Sequence, residues 1–139
     1  MTTENKNSQL LKVSLLLFAV VTLVYGLVHL IIPELYVKIA GGDPIPSSWI
    51  RWFGGILIAL GIGAIMVFLN PAKQGTFVTM IALGTLFCGL TLLYSLFYES
   101  VGIGKTWATA TPAIITLVLS LLLWVSLKQS KDILWSKEY

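Results

Sequence analysis

The chain has few of the residues on which most enzyme and metal sites depend. Its 139 residues include one cysteine, Cys88, and one histidine, His29. A single thiol cannot form an intrachain disulfide or a multi-thiolate metal site, and a single imidazole cannot supply a bis-histidine haem or a di-iron bundle. The sequence also lacks GxGxxG, Walker, GxSxG and CxxC motifs. We therefore predict no metal and no cofactor, and motifs identify no catalytic residue.

Charged residues are scarce as well, at 11% of the chain, whereas 57% of the residues are hydrophobic and the mean hydropathy is +0.90. Soluble domains carry about 25% charged residues, so this composition indicates a protein of the lipid bilayer. The net charge of +3 comes mainly from lysines outside the apolar segments, which membrane topology produces by itself. We expect membrane lipids as partners and no nucleic acid.

Four apolar segments are each long enough to cross a hydrocarbon core, which takes about 20 helical residues. They cover approximately residues 13–32, 52–69, 77–97 and 111–127. The first has a basic flank, but its apolar run is longer than that of a signal peptide and no A-x-A-like site follows it, so we expect it to be retained. The turn "NPAKQG" is short enough to require antiparallel neighbours. The sequence predicts an all-α fold, a four-transmembrane-helix bundle that forms one membrane domain over 1–139.

The distribution of basic residues predicts the orientation. Six lysines lie at the N-terminus, in the "NPAKQG" turn and in the C-terminal tail, against Lys38, Arg51 and Lys105 on the other side. The positive-inside rule then favours a multi-pass protein of the cell (inner) membrane with both termini in the cytoplasm. The tail, 128–139, is expected to be a helix end and a partly disordered cytoplasmic segment held near the anionic leaflet. The alternative is a tail that binds a partner.

The first outward loop carries the signal of a short helix. In "PELYVKIAGG", Pro33 suits a first helical turn and Gly41 a helix stop. We expect a short interfacial helix there, with Tyr36 among the residues that lie against the bilayer surface. Ser47 or Ser48 is then expected to cap the second span.

Small and polar residues recur at helical spacing along three spans, and these faces should look into a common interior. They are Thr22, Tyr25, Gly26 and His29 in the first span, Gly84, Cys88, Thr91, Ser95 and Glu99 in the third, and Thr109, Pro112, Thr116 and Ser120 in the fourth. The second span is rich in small residues, and Gly55, Ala59 and Gly63 give small-xxx-small steps that let helices pack closely. A close approach to a flat lipophilic ligand is the alternative.

Four ionisable residues map to one depth in the membrane. His29 lies only about 5 Å below the outer boundary at a rise of about 1.5 Å per residue, and Glu34, Arg51 and Glu99 fall at the same level. Charge in or near hydrocarbon is expensive, so such groups pair or face water, and a shared ligand or proton-handling site is one hypothesis. The other is structural, because an arginine between two tryptophans is typical of an interfacial anchor.

The stretches "YGLVHLIIPELY", "RWFGGILIALGIGAI" and "NPAKQGTFV" resemble the small four-helix membrane proteins of the DoxX-like group. The resemblance lies within residues 20–98 and implies a bundle of four spans. Members of the wider group have been linked to quinone-coupled sulfur oxidation and to accessory or chaperone roles for other membrane proteins. The residues that carry over are Arg51, Gly54 and Gly55, with Tyr25 and His29 as weaker matches. The lack of further cysteines argues against thiol redox activity in this chain.

Three functions remain open at this point. The first is an accessory or ligand-binding protein whose outward-facing polar cavity holds a lipophilic molecule such as a quinone, or a small anion attracted by Arg51. The candidate site residues are Tyr25, His29, Glu34, Arg51, Gly54, Gly55 and Glu99. The second function is a membrane enzyme in which His29 and either Glu34 or Glu99 form an acid-base pair acting on a lipid-soluble substrate. The third is a structural subunit of a homo-oligomer or of a larger membrane complex.

Overall fold

The computed structural model describes residues 3–41, 46–98 and 106–135, with side chains from residue 9 onwards. Of these described residues 91% are helical, and none lies in a strand. The helices are α1 (Thr3–Ile31), α2 (Pro33–Ala40), α3 (Ser47–Leu69), α4 (Gly75–Tyr98), α5 (Trp107–Gln129) and α6 (Lys131–Leu134). The predicted all-α fold is confirmed.

Four of these helices are long and apolar enough to cross a membrane. They are the Gln9–Ile31 part of α1 and the whole of α3, α4 and α5, each 23 or 24 residues long. Each exceeds the length of about 20 residues that a hydrocarbon core requires. The predicted spans fall within these helices, except that the first ends at Ile31, one residue early. Four such helices indicate a multi-pass membrane protein.

The four long helices run alternately in opposite directions. We call the end where α1 begins and α5 finishes the terminal end, and the end where α2 lies and α5 begins the loop end. Thr22 of α1 lies beside Gly61 of α3, and Gly26 lies beside Gly54, so these two helices are antiparallel. The pairs α1/α3 and α4/α5 pack along their lengths, and α1 also packs against α5.

The hydrophobic core fills the terminal half of the bundle. Leu15 of α1, Val78 of α4 and Leu123 of α5 are fully buried there. In the same layer the hydroxyl oxygens of Ser14 and Ser126 lie 2.8 Å apart and join α1 to α5 by a buried hydrogen bond. The described residues of this half of the bundle are densely packed.

The segment after α5 closes the terminal end. Leu134 in α6 is 0% exposed and belongs to the core, and the ring of Trp135 lies against Gly75 at the start of α4. Residues 128–129 are the predicted helix end, because they complete α5, whereas residues 131–135 are not disordered: the apolar side of α6 packs on the bundle. The remainder of the predicted tail, 136–139, lies outside the described residues.

The short helix predicted in the first loop is present as α2. Pro33 begins it, and Gly41 ends it with a φ of 74°, a left-handed conformation that glycine adopts without strain. Tyr36, which was expected against the bilayer surface, is half-buried. Its ring contacts that of His29, because the chain bends at Ile32 and turns this side of α2 toward the end of α1.

Candidate functional site

A cavity of about 850 Å³ lies inside the bundle in its loop-end half. Helices α1 to α5 all contribute to its wall, and the buried side chains of Phe18, Ile81 and Leu119 form its floor above the core. Its volume is within the range of about 300–1,000 Å³ that is usual for small-molecule sites. Most of the lining is aliphatic or aromatic, so the cavity suits an apolar molecule.

Polar groups of the cavity gather around His29 near the loop end. The imidazole centroid lies 4.5 Å from the ring centroid of Tyr36, 5.7 Å from that of Phe53 and 6.0 Å from that of Tyr25. We call these four residues the aromatic cluster, and all four line the cavity. His29 is buried, at 8% exposure, whereas the two tyrosines are half-buried.

The hydrogen bond of His29 defines which ring nitrogen carries the proton. Nδ1 lies 2.6 Å from the backbone carbonyl oxygen of Tyr25. A carbonyl oxygen only accepts, so Nδ1 must donate, and in the neutral imidazole Nε2 is then an acceptor. Nε2 has no hydrogen-bond partner among the described residues. Every fully buried side-chain nitrogen or oxygen of these residues has a partner, so Nε2 is not fully buried. Nε2 therefore keeps accessible surface, on a ring that lines the cavity.

The hydroxyl groups of the cavity fall into two kinds. Thr22, Thr85 and Thr116 each donate to a backbone carbonyl of their own helix at 2.8 to 2.9 Å, which uses their only proton. Tyr25 and Tyr36 make no hydrogen bond to another described residue. Burial, with a smaller effect of Tyr25, raises the pKa of Tyr36, so its phenol remains a neutral donor. The aromatic cluster thus presents one strong acceptor and two phenols.

Arg51 and Glu34 pair with each other outside the cavity. A guanidinium nitrogen of Arg51 lies 3.4 Å from Glu34 Oε1, and its Nε donates to the carbonyl of Leu30 at 3.4 Å. The α3 N-cap position is Pro46, so the predicted serine cap is wrong; Ser47 donates its hydroxyl to Glu34 instead. That hydrogen bond, more than Arg51, lowers the pKa of Glu34. Neither charged residue lines the cavity.

The two adjacent glycines of α3 have different surroundings, and neither lines the cavity. Gly54 faces α1, where an added Cβ would lie 3.1 Å from the Cβ of His29, whereas one at Gly55 would meet nothing within 4 Å. Gly63 of the predicted packing face contacts Phe77 of α4, but the prediction is wrong for Gly55 and Ala59, which are exposed, and Gly54 and Gly61 make the contact with α1. Gly54 thus supports the site from behind His29.

The predicted candidates therefore do not form one site. Tyr25 and His29 line the cavity, Glu34 and Arg51 pair outside it, and Glu99 lies outside the described residues. None of the described residues that line the cavity is an Asp or Glu. Glu34 and Arg51 do contact each other, but both charged side chains are exposed and neither lines the cavity, since long charged side chains favour water.

Sequence reasoning missed several residues of the site. Tyr36 and Phe53 belong to the aromatic cluster, and Thr85 lies beside Gly84 on the cavity wall. The bend at Ile32, which Pro33 signals, was a usable signal for Tyr36, since a helix that folds back brings its first turn toward the end of α1. On α4 the predicted interior face is confirmed for Gly84 and Cys88, which line the cavity. Thr91 is exposed and does not line the cavity.

Comparison with protein-family models, with curated proteins and with solved structures finds no match to this chain. The resemblance to the DoxX-like group remains a prediction from the sequence.

Proposed function

We propose that the chain is a ligand-binding membrane protein, an accessory protein and not an enzyme, which holds a neutral amphiphile in the loop-end cavity. The observation that carries this proposal is the hydrogen bond from His29 Nδ1 to the Tyr25 carbonyl, since it leaves Nε2 as an acceptor in an apolar cavity. An unpartnered acceptor on the wall of an apolar cavity favours a ligand that donates a hydrogen bond. The ligand class is thus an apolar molecule with a hydroxyl-bearing head.

The charge of the site supports a neutral ligand. Among the described residues of the cavity wall there is no Asp, Glu, Lys or Arg, and Arg51 is already paired with Glu34. An anion would have to leave water without a compensating charge, which is costly in an apolar interior. The sequence also suggested a small anion attracted by Arg51 as the ligand, and the uncharged cavity wall gives that ligand no support. For the same reason an acid-base pair of His29 with a carboxylate has no support among the described residues.

The hydrogen-bonding groups also discriminate between ligand heads. A quinone carries only acceptors, which the phenols of Tyr25 and Tyr36 could meet but Nε2 of His29 could not. A quinol or a long-chain alcohol offers the donor that Nε2 requires. The proposal therefore favours a reduced or alcoholic head group over a quinone.

The distribution of lysines supports an orientation with the terminal end in the cytoplasm. Lys12, Lys73, Lys128 and Lys131 belong to that end, and basic residues are enriched on the cytoplasmic side of membrane proteins. In this proposal the protein lies in the cell (inner) membrane and the cavity is in the outer leaflet half. A homo-oligomer or a larger membrane complex remains a prediction from the sequence alone.

Two matched ligands test the proposal. Native mass spectrometry would titrate the detergent-solubilised protein with hexadecanol and with its methyl ether, which has the same chain but no donor. The wild type should bind the alcohol roughly three- to tenfold more tightly, because a hydrogen bond contributes about 0.5–1.5 kcal/mol net. His29→Phe keeps an aromatic ring but removes the acceptor, so it should bind both ligands alike.

Arg51→Gln provides the control, since Arg51 lies outside the cavity and should leave the preference for the alcohol unchanged. Equal binding of alcohol and ether by the wild type would contradict the proposed hydroxyl head. Binding of neither molecule would contradict the ligand-binding function.

A further inference from the structure

The four long helices are not equally sealed against one another. Helices α1/α3, α4/α5 and α1/α5 are in close backbone contact, but α3 and α4 have hardly any among the described residues. Near the terminal end this seam is closed, because the ring of Phe77 lies against Gly63 and would be 2.7 Å from a Cβ added there. From that contact toward the loop end, the backbones of α3 and α4 approach each other at few described positions.

The open part of the seam coincides with the cavity. Continuing the antiparallel register from Gly63 and Phe77 by two helical turns places Ile56 opposite Gly84, and both line the cavity. A Cβ added at Gly84 would meet nothing within 4 Å, so the space beside it is unfilled. Ile56 is 38% exposed, and Met80, one turn below Gly84, is 49% exposed although it also lines the cavity. The cavity wall is therefore incomplete between α3 and α4.

We infer that the ligand enters and leaves sideways, from the bilayer through the seam between α3 and α4, without crossing water. Both helices are long and apolar enough to span a membrane, and in a bilayer this seam would face lipid and not solvent. An amphiphile already dissolved in the leaflet can move its apolar tail through an opening lined by Ile56, Met80 and Gly84, with no polar group to desolvate on the way. The inference rests on the ligand-binding function proposed above and names the bilayer as the source of the ligand.

Cys88 provides a native reporter for this route. It is the only cysteine of the chain, it is exposed, and it lines the cavity one turn beyond Gly84. In vesicles, a lipid-soluble maleimide should alkylate it, with the reaction followed by intact-protein mass. A sulfonated, membrane-impermeant maleimide should not. This readout needs no bound ligand, so it can fail or succeed independently of the proposed function.

The decisive comparison uses two glycines in similar open surroundings. Gly84→Phe should fill the seam and slow labelling of Cys88 by the lipid-soluble maleimide about tenfold. Gly55→Phe adds the same side chain where nothing lies within 4 Å and away from the cavity, and should leave the rate unchanged. In Gly84→Ala, Cys88 should be labelled at the wild-type rate. That result would show that a side chain at position 84 is compatible with folding.

A second thiol controls for reactivity at this depth. In a Cys88→Ala background, Leu90→Cys places the thiol at an exposed position of α4 that does not line the cavity, and Gly84→Phe should not slow its labelling. Lateral entry would be overturned if Gly84→Phe left labelling of Cys88 unchanged. It would also be overturned if the impermeant maleimide reacted with Cys88 as fast as the lipid-soluble one, since that result means access from water.

Discussion

Gly26 and Gly54 face each other where α1 crosses α3. A Cβ on Gly54 would lie 2.8 Å from the carbonyl oxygen of Gly26, and a Cβ on Gly26 would lie 2.9 Å from that of Gly54. Both positions meet backbone that no side-chain rotation can move away. This crossing supports the cavity directly, because His29 lies on the next turn of α1 and its Cβ is also in contact with the Gly54 position.

The crossing predicts opposite effects for adjacent glycines. Gly54→Ala should destabilise the fold by about 1–3 kcal/mol, the usual range for overpacking, because α1 and α3 must separate. Gly55→Ala should be neutral or should stabilise by up to about 1 kcal/mol through helix propensity, since its Cβ would meet nothing within 4 Å. Unfolding of both variants in mixed micelles, titrated with sodium dodecyl sulfate, measures the difference. Equal stability of the two would contradict the assigned crossing.

The closing segment at the terminal end should contribute to stability. Leu134 is 0% exposed, so Leu134→Ala should destabilise by about 2–5 kcal/mol, as large-to-small changes in cores do. Asp132→Ala, in the same short helix but exposed, should have little effect. Thermal unfolding followed by circular dichroism would compare the two variants. A tail that does not pack on the bundle would tolerate both changes equally.

The corner formed by Ser47, Glu34 and Arg51 should respond to acid. The pKa of Glu34 is lowered, first by the Ser47 hydrogen bond, so its stabilising contribution is complete above the ordinary glutamate pKa and is lost as the pH falls through the lower folded value. Fluorescence of nearby Trp49 and Trp52 should therefore change below about pH 4.

Variants of this corner identify the titrating group. Ser47→Ala should move the fluorescence step to higher pH, toward the ordinary glutamate pKa, and Glu34→Gln should abolish it. Because the corner is exposed, global stability should change little, as is usual for surface ion pairs. A step that persists unchanged in Glu34→Gln would show that another group titrates.

Helical periodicity was readable from the sequence along α1, whereas the rotation of α3 about its own axis was not. The spacing of Thr22, Gly26 and His29 predicts the interior face of α1, and all three are buried. Counting residues from the membrane boundary also placed Glu34 and Arg51 at one level, where they pair.

Which way a residue faces depended on packing that the sequence does not encode locally. Gly54 and Gly55 are equally small, and only the contact with α1 decides which of them is buried. Arg51 and His29 lie at a similar depth, but a long charged side chain near the interface can reach water, whereas the shorter imidazole bonds to its own helix. Tyr36 joined the site only because α2 folds back onto α1.

The imidazole of His29, which offers its Nε2 as an acceptor to a ligand in the cavity, can be observed directly. Since the chain has one histidine, labelling with ¹⁵N-histidine gives a single pair of ring nitrogen signals. At mildly alkaline pH we expect a protonated Nδ1 and an unprotonated Nε2, with the Nε2 signal shifting when hexadecanol is added and not when its methyl ether is added. A spectrum with the proton on Nε2, or an Nε2 signal unchanged by hexadecanol, would contradict the proposed role of His29.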